Sequence, residues 1–168
     1  MLTAKKIKSL IDTLITEDKY KVIVCNEKED EDILMSYTSL IKAAQCANSR
    51  VLIVLDSKES ISTISDMILN YAKECDINIR QYRKYTPYSI EILLSNNSIV
   101  YIRHLSSTIR GLCIDHASIK VADKINDIIE DIETATIYNS KSTLCLYMTP
   151  NIDINNVLIS RFRKLIIE

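Results

Sequence analysis

The chain has 168 residues, 47% of them apolar and 26% charged, with a formal net charge of −1 and a mean hydropathy of +0.04. These values exclude a disordered chain, and they exclude a basic protein drawn to nucleic acid or anionic membrane by its overall field. No apolar run approaches the roughly 20 residues that span a bilayer, and the amino terminus lacks the apolar core and small-residue cleavage site of a signal peptide. The length suits one domain that buries its core without disulfides. Cys25, Cys46, Cys75, Cys113 and Cys145 form no CxxC pair and read as reduced, structural thiols. A cytoplasmic location without membrane contact is expected.

In chain order, Ile7, Leu10, Ile11, Leu14 and Ile15 recur at helical spacing behind Thr3, a candidate N-cap. Residues 21–25 (KVIVC) form a β-branched run that predicts a buried strand. Glu27-Lys28-Glu29-Asp30-Glu31-Asp32 follows, five acids and one base, expected as the solvated start of a helix whose dipole the acids complement. Residues 31–46 keep helical period through Ile33, Leu34, Tyr37, Leu40, Ile41 and Ala44. Residues 51–55 (VLIVL) are the clearest strand. Ser57 then caps a helix with Ile61, Ile64, Met67, Ile68, Tyr71 and Ala72 on one face.

Ile77-Asn78-Ile79 reads as a third strand, and residues 80–88, with Pro87, as a polar-aromatic loop. Residues 90–94 and 98–103 flank Ser95-Asn96-Asn97, a hairpin pattern because asparagine tolerates positive φ. Residues 118–122 predict another strand, residues 124–135 a helix through Ile125, Ile128, Ile129 and Ile132, and residues 143–148 (TLCLYM) the last strand. A closing helix is expected from Ile154, Val157, Leu158, Phe162 and Leu165, with Arg161, Arg163 and Lys164 near its end. The alternation predicts an α/β fold: a mainly parallel sheet with helices on both faces and a β-hairpin near residues 90–103. A single domain over residues 1–168 is expected.

Gly111 is the one glycine in the chain. A GxxxxGK[ST] loop needs two glycines and GxGxxG three, so neither phosphate cradle can form. The acids after residue 26 repel phosphate as well. Arg80, Tyr82, Arg83, Lys84, Tyr85 and Tyr88 interleave cations with aromatics, the mix that binds single-stranded nucleic acid, although rings packed under a surface loop use the same residues. Asp56, Asp115 and Asp123 near strand ends are candidate acids for a different α/β enzyme. Asp115-His116 has no serine or cysteine elbow beside it, and the acidic run lacks the spacing of a calcium loop. Catalytic residues, metal and cofactor are expected to be absent.

Four segments carry a resemblance. Ile90-Glu91-Ile92-Leu93-Leu94-Ser95-Asn96-Asn97-Ser98-Ile99 parallels the pattern I-x-L-x-N-G-S-x-I, and Ser106-Ser107-Thr108-Ile109-Arg110-Gly111 parallels hydroxyl residues followed by an Arg-Gly pair. Ile119-Lys120-Val121-Ala122-Asp123 falls where a Walker B strand would, and Tyr147-Met148-Thr149-Pro150-Asn151 parallels Thr-Thr-x-Pro-Asn. In this order and spacing, over residues 4–163, the chain resembles the ATPase core of viral terminase large subunits, the DNA-packaging motors of tailed phages in the helicase-like P-loop superfamily.

The resemblance implies a P-loop NTPase-like core, a vestigial Walker B position at Asp123, and the family's Arg-Gly pair at Arg110 and Gly111, the latter at a turn of positive φ. The chain departs from the family in its chemistry. Where Walker A belongs it has Asn26 and the acids, with Lys28 lacking flanking glycines and a following Ser or Thr; Lys124 follows Asp123. The abundance of Ile, Asn and Lys matches an AT-rich, viral genome. The expectation is a non-catalytic terminase-like pseudo-ATPase without the family's nuclease domain, in the host cytoplasm. It would bind a protein partner (a motor subunit or a second copy) or DNA. A small α/β enzyme and a single-stranded nucleic-acid module (Arg80, Tyr82, Arg83, Lys84, Tyr85) are the alternatives.

Overall fold

Side chains alternate along a strand, so a sheet buried on both faces divides its apolar residues into two sets. The computed structural model describes residues 7, 10, 14, 19–107, 109, 112–121, 129, 132, 142–150 and 162–167, and these show that division. The elements are β1 (Tyr20–Cys25), α1 (Lys28–Gln45), β2 (Arg50–Leu55), α2 (Lys58–Glu74), β3 (Ile79–Thr86), β4 (Ser89–Leu94), β5 (Ile99–His104), β6 (His116–Lys120), β7 (Thr143–Met148) and β8 (Arg163–Ile167). They build one eight-stranded sheet in the order β3-β4-β5-β2-β6-β7-β1-β8. The pairs β3–β4 and β4–β5 are antiparallel and the remaining pairs parallel, so β4 alone opposes the other strands.

One face, carrying Ile23, Cys25, Ile53, Leu55, Ile92, Ile102 and Tyr147, packs under α1 and α2 and against Ile7 and Leu14. The other face, carrying Val22, Val24, Leu52, Val54, Ile119, Leu144 and Leu146, packs against Ile109, Ile114, Phe162 and the helical Ile129 and Ile132. The predicted mainly parallel α/β sheet with a hairpin is therefore the fold observed. Ser57 caps α2 as expected, its Oγ accepting the Ser60 N–H at 3.1 Å. No helix among the described residues is long and apolar enough to cross a membrane.

Three expectations are corrected. Residues 80–86 are no loop: they continue β3, and Pro87 lies in the turn beyond it. An edge strand is paired on one side only and exposed on both faces, so it carries none of the apolar alternation by which buried strands are recognised. Residues 143–148 are not the last strand, because Arg163, Lys164 and Leu165 belong to β8, parallel to β1 from Lys21↔Arg163 to Cys25↔Ile167. Phe162 and Leu165 match a helical spacing, but the run Leu165-Ile166-Ile167 gains more as a strand along an open sheet edge. The strand expected over residues 118–122 begins and ends two residues earlier. Of the expected helix over residues 124–135 only Ile129 and Ile132 are described; Ile154, Val157, Leu158 and Arg161 lie outside the described residues.

With glycine scarce, the left-handed backbone positions fall to Asn48 (φ 62°), Asp76 (φ 55°) and Asn97 (φ 65°), the residue types that tolerate that region. Asn97 occupies the place of glycine in the N-G-S pattern. Its neighbours close the carboxyl end of α1. Asn96 Nδ2 donates to the carbonyls of Ala43 (2.9 Å) and Ala44 (3.2 Å), and Ser98 Oγ donates to that of Cys46 (2.7 Å). The last carbonyls of a helix have no intrahelical partner, and here the hairpin turn supplies one. Asn96→Ala is expected to lower unfolding free energy by about 1–3 kcal/mol and Asn97→Val by about 1–2 kcal/mol, whereas Asn97→Gly stays close to the parent; urea unfolding checks all three.

Candidate functional site at the carboxyl ends of β1 and β6

β1 ends at Cys25 and α1 starts at Lys28, so Asn26 and Glu27 are the whole connection. A phosphate-cradling loop is several residues long and presents free backbone N–H groups. Here the Glu27 carbonyl already accepts the N–H groups of Asp30 (3.1 Å) and Glu31 (3.4 Å). Glu29, Asp30 and Glu31 stand in the first turn of α1, against the positive end of its dipole.

Opposite that turn lies β6. Ala117 and Ile119 face the second apolar cluster, which by alternation turns His116, Ser118 and Lys120 toward α1. All three are buried. The Lys120 ammonium, with its side chain 7% exposed, donates to Asp32 Oδ1 and lies 3.6 Å from Glu31 Oε2. In P-loop enzymes the loop leading into the helix supplies a lysine and the Walker B strand an aspartate, with Mg²⁺ and phosphate between them. Here the helix brings the carboxylates and the strand a lysine.

The acidic run is thus only partly solvated, which corrects the expectation, since Glu31 is buried at 2% exposure. Burial pushes the neighbouring Cys25 thiol up to about 12, with Glu31 and Asp30 adding to the effect and Lys120 opposing it. That thiol is inert. Sequence reasoning gave Lys120 no role. The available signal was a period-two polar set, His116, Ser118 and Lys120, inside an otherwise apolar strand.

The polar stripe continues to the amino end of β6. His116 Nδ1 bonds Thr143 Oγ1 (2.6 Å) and Nε2 bonds Ser118 Oγ (3.0 Å), which in turn meets Ser39 Oγ of α1 (3.0 Å). Burial first, and then the charges of Lys42 and Lys21, hold the His116 ring neutral, down to about 3. A cavity of about 290 Å³ opens beside it, lined by Lys42, Ser49, Asp115 and Thr143. The His116 and Thr143 side chains there bond each other, and Asp115 Oδ2 accepts the Arg50 N–H at 2.8 Å.

The strand-end aspartates do not converge. Asp56 follows the carboxyl end of β2, whereas Asp115 precedes the amino end of β6, its parallel neighbour. Asp123, Arg110 and Gly111 lie outside the described residues. Among the described residues no cluster of three or more His, Cys, Asp or Glu is placed to hold a metal. His104 Nε2 bonds the Asp56 carbonyl (3.0 Å) and so carries its proton there, leaving Nδ1 to accept from Ser106.

Arg80, Tyr82, Arg83, Lys84 and Tyr85 all lie on β3, brought together along the edge of the sheet and away from the β1–β6 site. Tyr82 Oη accepts from Ser65 Oγ of α2 (3.2 Å), whereas Tyr85 Oη donates to Glu91 Oε2 on the other face (3.0 Å).

Two measurements follow from this geometry. Removing Lys120 strands two carboxylates, so Lys120→Met is expected to cost about 3–5 kcal/mol in urea unfolding, with part recovered when Glu31→Gln and Asp32→Asn are added. For His116 the folded value near 3 lies below that of a free imidazole, near 6.5. The unfolded chain therefore takes the proton first. This contribution is whole above pH 6.5 and falls away as pH drops toward 3. Stability should decline by about 2 kcal/mol between pH 7 and pH 5, and His116→Gln should remove most of that slope.

Solved phage packaging proteins share this fold. The large terminase of a thermophilic bacteriophage aligns with a TM-score of 0.65 at 8% identity, over 99% of this chain and 46% of that one. The ATPase domain of a Thermus phage large terminase aligns with a TM-score of 0.54 at 11% identity, over 91% of this chain and 71% of that one. A chain of the bacteriophage Phi-29 genome packaging motor assembly aligns with a TM-score of 0.52 at 11% identity, over 95% and 50%. The chain spans less than half the length of the first of these. No family model and no curated protein matches the sequence. At these identities the likeness is one of architecture: the chain has the fold of phage large-terminase ATPase domains.

Proposed function

We propose that this chain is a non-catalytic, terminase-like module of viral origin that serves DNA packaging by binding a protein partner. The observation that carries the reading is the Lys120–Glu31–Asp32 cluster at the start of α1. A phosphate brought there meets the first-turn carboxylates. Each like-charged pair at about 4 Å is worth about 4 kcal/mol of repulsion at an effective dielectric of about 20, while a helix terminus contributes about 0.3–1 kcal/mol of attraction. Repulsion wins. The short β1–α1 connection leaves no glycine cradle to offset it, and Lys120 already engages the Glu31 and Asp32 carboxylates that would otherwise attract Mg²⁺ while leaving the cluster net negative.

The fold likeness supports the packaging context, and the Phi-29 neighbour belongs to a motor assembly, a setting in which a module without its own nucleotide still has subunits to contact. Thermal unfolding with Mg²⁺ and ATP or ADP, combined with a phosphate-release assay, tests the reading. A nucleotide present at 100 times its Kd would stabilise the fold by about 2.7 kcal/mol. No shift and no phosphate release are expected; ATP-dependent stabilisation with Mg²⁺-dependent hydrolysis would overturn the proposal.

A further inference from the structure

β3 closes one side of the sheet, and among the described residues no strand lies along its outer edge. Seven of its eight residues are exposed, Tyr82 at 41% and Tyr85 at 54%, and it carries Arg80, Arg83 and Lys84 without an acid. Where β3 begins, a groove of about 470 Å³ separates it from the end of α2, lined by Leu69, Ala72, Ile77 and Ile79 with Lys73 and Asp76 at hand. An unpaired edge beside an apolar groove suits an extended peptide, whose main chain lengthens the sheet while a side chain enters the groove. We propose that this edge binds an extended acidic segment of a partner protein, added as a further strand with an aliphatic side chain in the groove.

The register selects the occupant. Tyr82 and Lys84 lie opposite Ile92 and Ile90 on the helix-covered face, and Arg83 lies opposite Glu91 on the other. An added strand therefore meets a cation on each face, which carboxylates at successive positions complement. A second copy of β3 would set the same cations against one another. Single-stranded nucleic acid needs its stacking rings on one platform, and Tyr82 and Tyr85 are held to opposite faces by Ser65 and Glu91. Register shifts between Ile79 and Gln81 and between Lys84 and Thr86 confine the regular stretch to residues 81–84. Such irregularities keep a bare edge from pairing with any strand that passes.

The inference rests on the chain being a partner-binding module. The probe is a fluorescent, end-capped peptide of about ten residues, with aspartate and glutamate through its centre and leucine near each end. Controls are its lysine counterpart, an acidic peptide without leucine, and an oligothymidylate. Saturable binding of the acidic peptide is expected, weakened about tenfold by Arg83→Glu with Lys84→Glu and separately by Leu69→Lys, with circular dichroism showing each variant folded. Amide exchange at residues 81–84 should slow in the complex. The inference is overturned by no binding, by equal binding of the lysine peptide, by binding that survives the charge reversal, by preference for the oligonucleotide, or by dimerisation that protects β3. The assay contains no nucleotide, so its failure removes this surface only, whereas ATP hydrolysis would remove the non-catalytic reading only.

Discussion

The Lys120 ammonium, held between Asp32 and Glu31, ties the end of β6 to the start of α1. Taking an ammonium and two carboxylates out of water is costly, and the contact is stable only while all the partners stay in place. It fixes the first turn of α1 over the carboxyl end of β6. It also lays α1 across β6, so the next residues on that face of the strand must meet helix backbone and small hydroxyls. Ser118 and His116 do so through Ser39 and Thr143.

The far end of α1 is held just as firmly. Asn96 and Ser98 of the hairpin turn take up the carbonyls that the helix leaves open, and Asn97 supplies the left-handed residue that lets the turn reach them. The start of α1 is thus tied to β6 through its carboxylates and its end to the hairpin turn through its carbonyls.

Polar groups that elsewhere would serve chemistry are used up in holding this architecture. Cys25 is buried and kept protonated, His116 is neutral and bonded through both ring nitrogens, and Lys21 gives its ammonium to the Leu14 carbonyl at 2.8 Å. Among the described residues, main chain stays open along the outer edge of β3, with cations on both sides of it.

By itself the sequence determined the alternation of strands and helices, the hairpin with its asparagine turn, the cap at Ser57 and the impossibility of a glycine phosphate loop. Each of these follows from local rules: apolar period, side-chain capping, and the small set of residues that accept positive φ. Only the tertiary structure decided that residues 80–86 form an edge strand and that Arg163, Lys164 and Leu165 continue as β8 beside β1. Strands at a rim are defined by a neighbour's main chain: β3 carries no apolar alternation, and the short apolar run of β8 fits a helix end equally well. The same holds for Lys120. A lysine in a strand reads as solvated until folding sets it against Glu31 and Asp32, residues nearly ninety positions away, because a buried charge is made tolerable by a partner that local sequence does not contain.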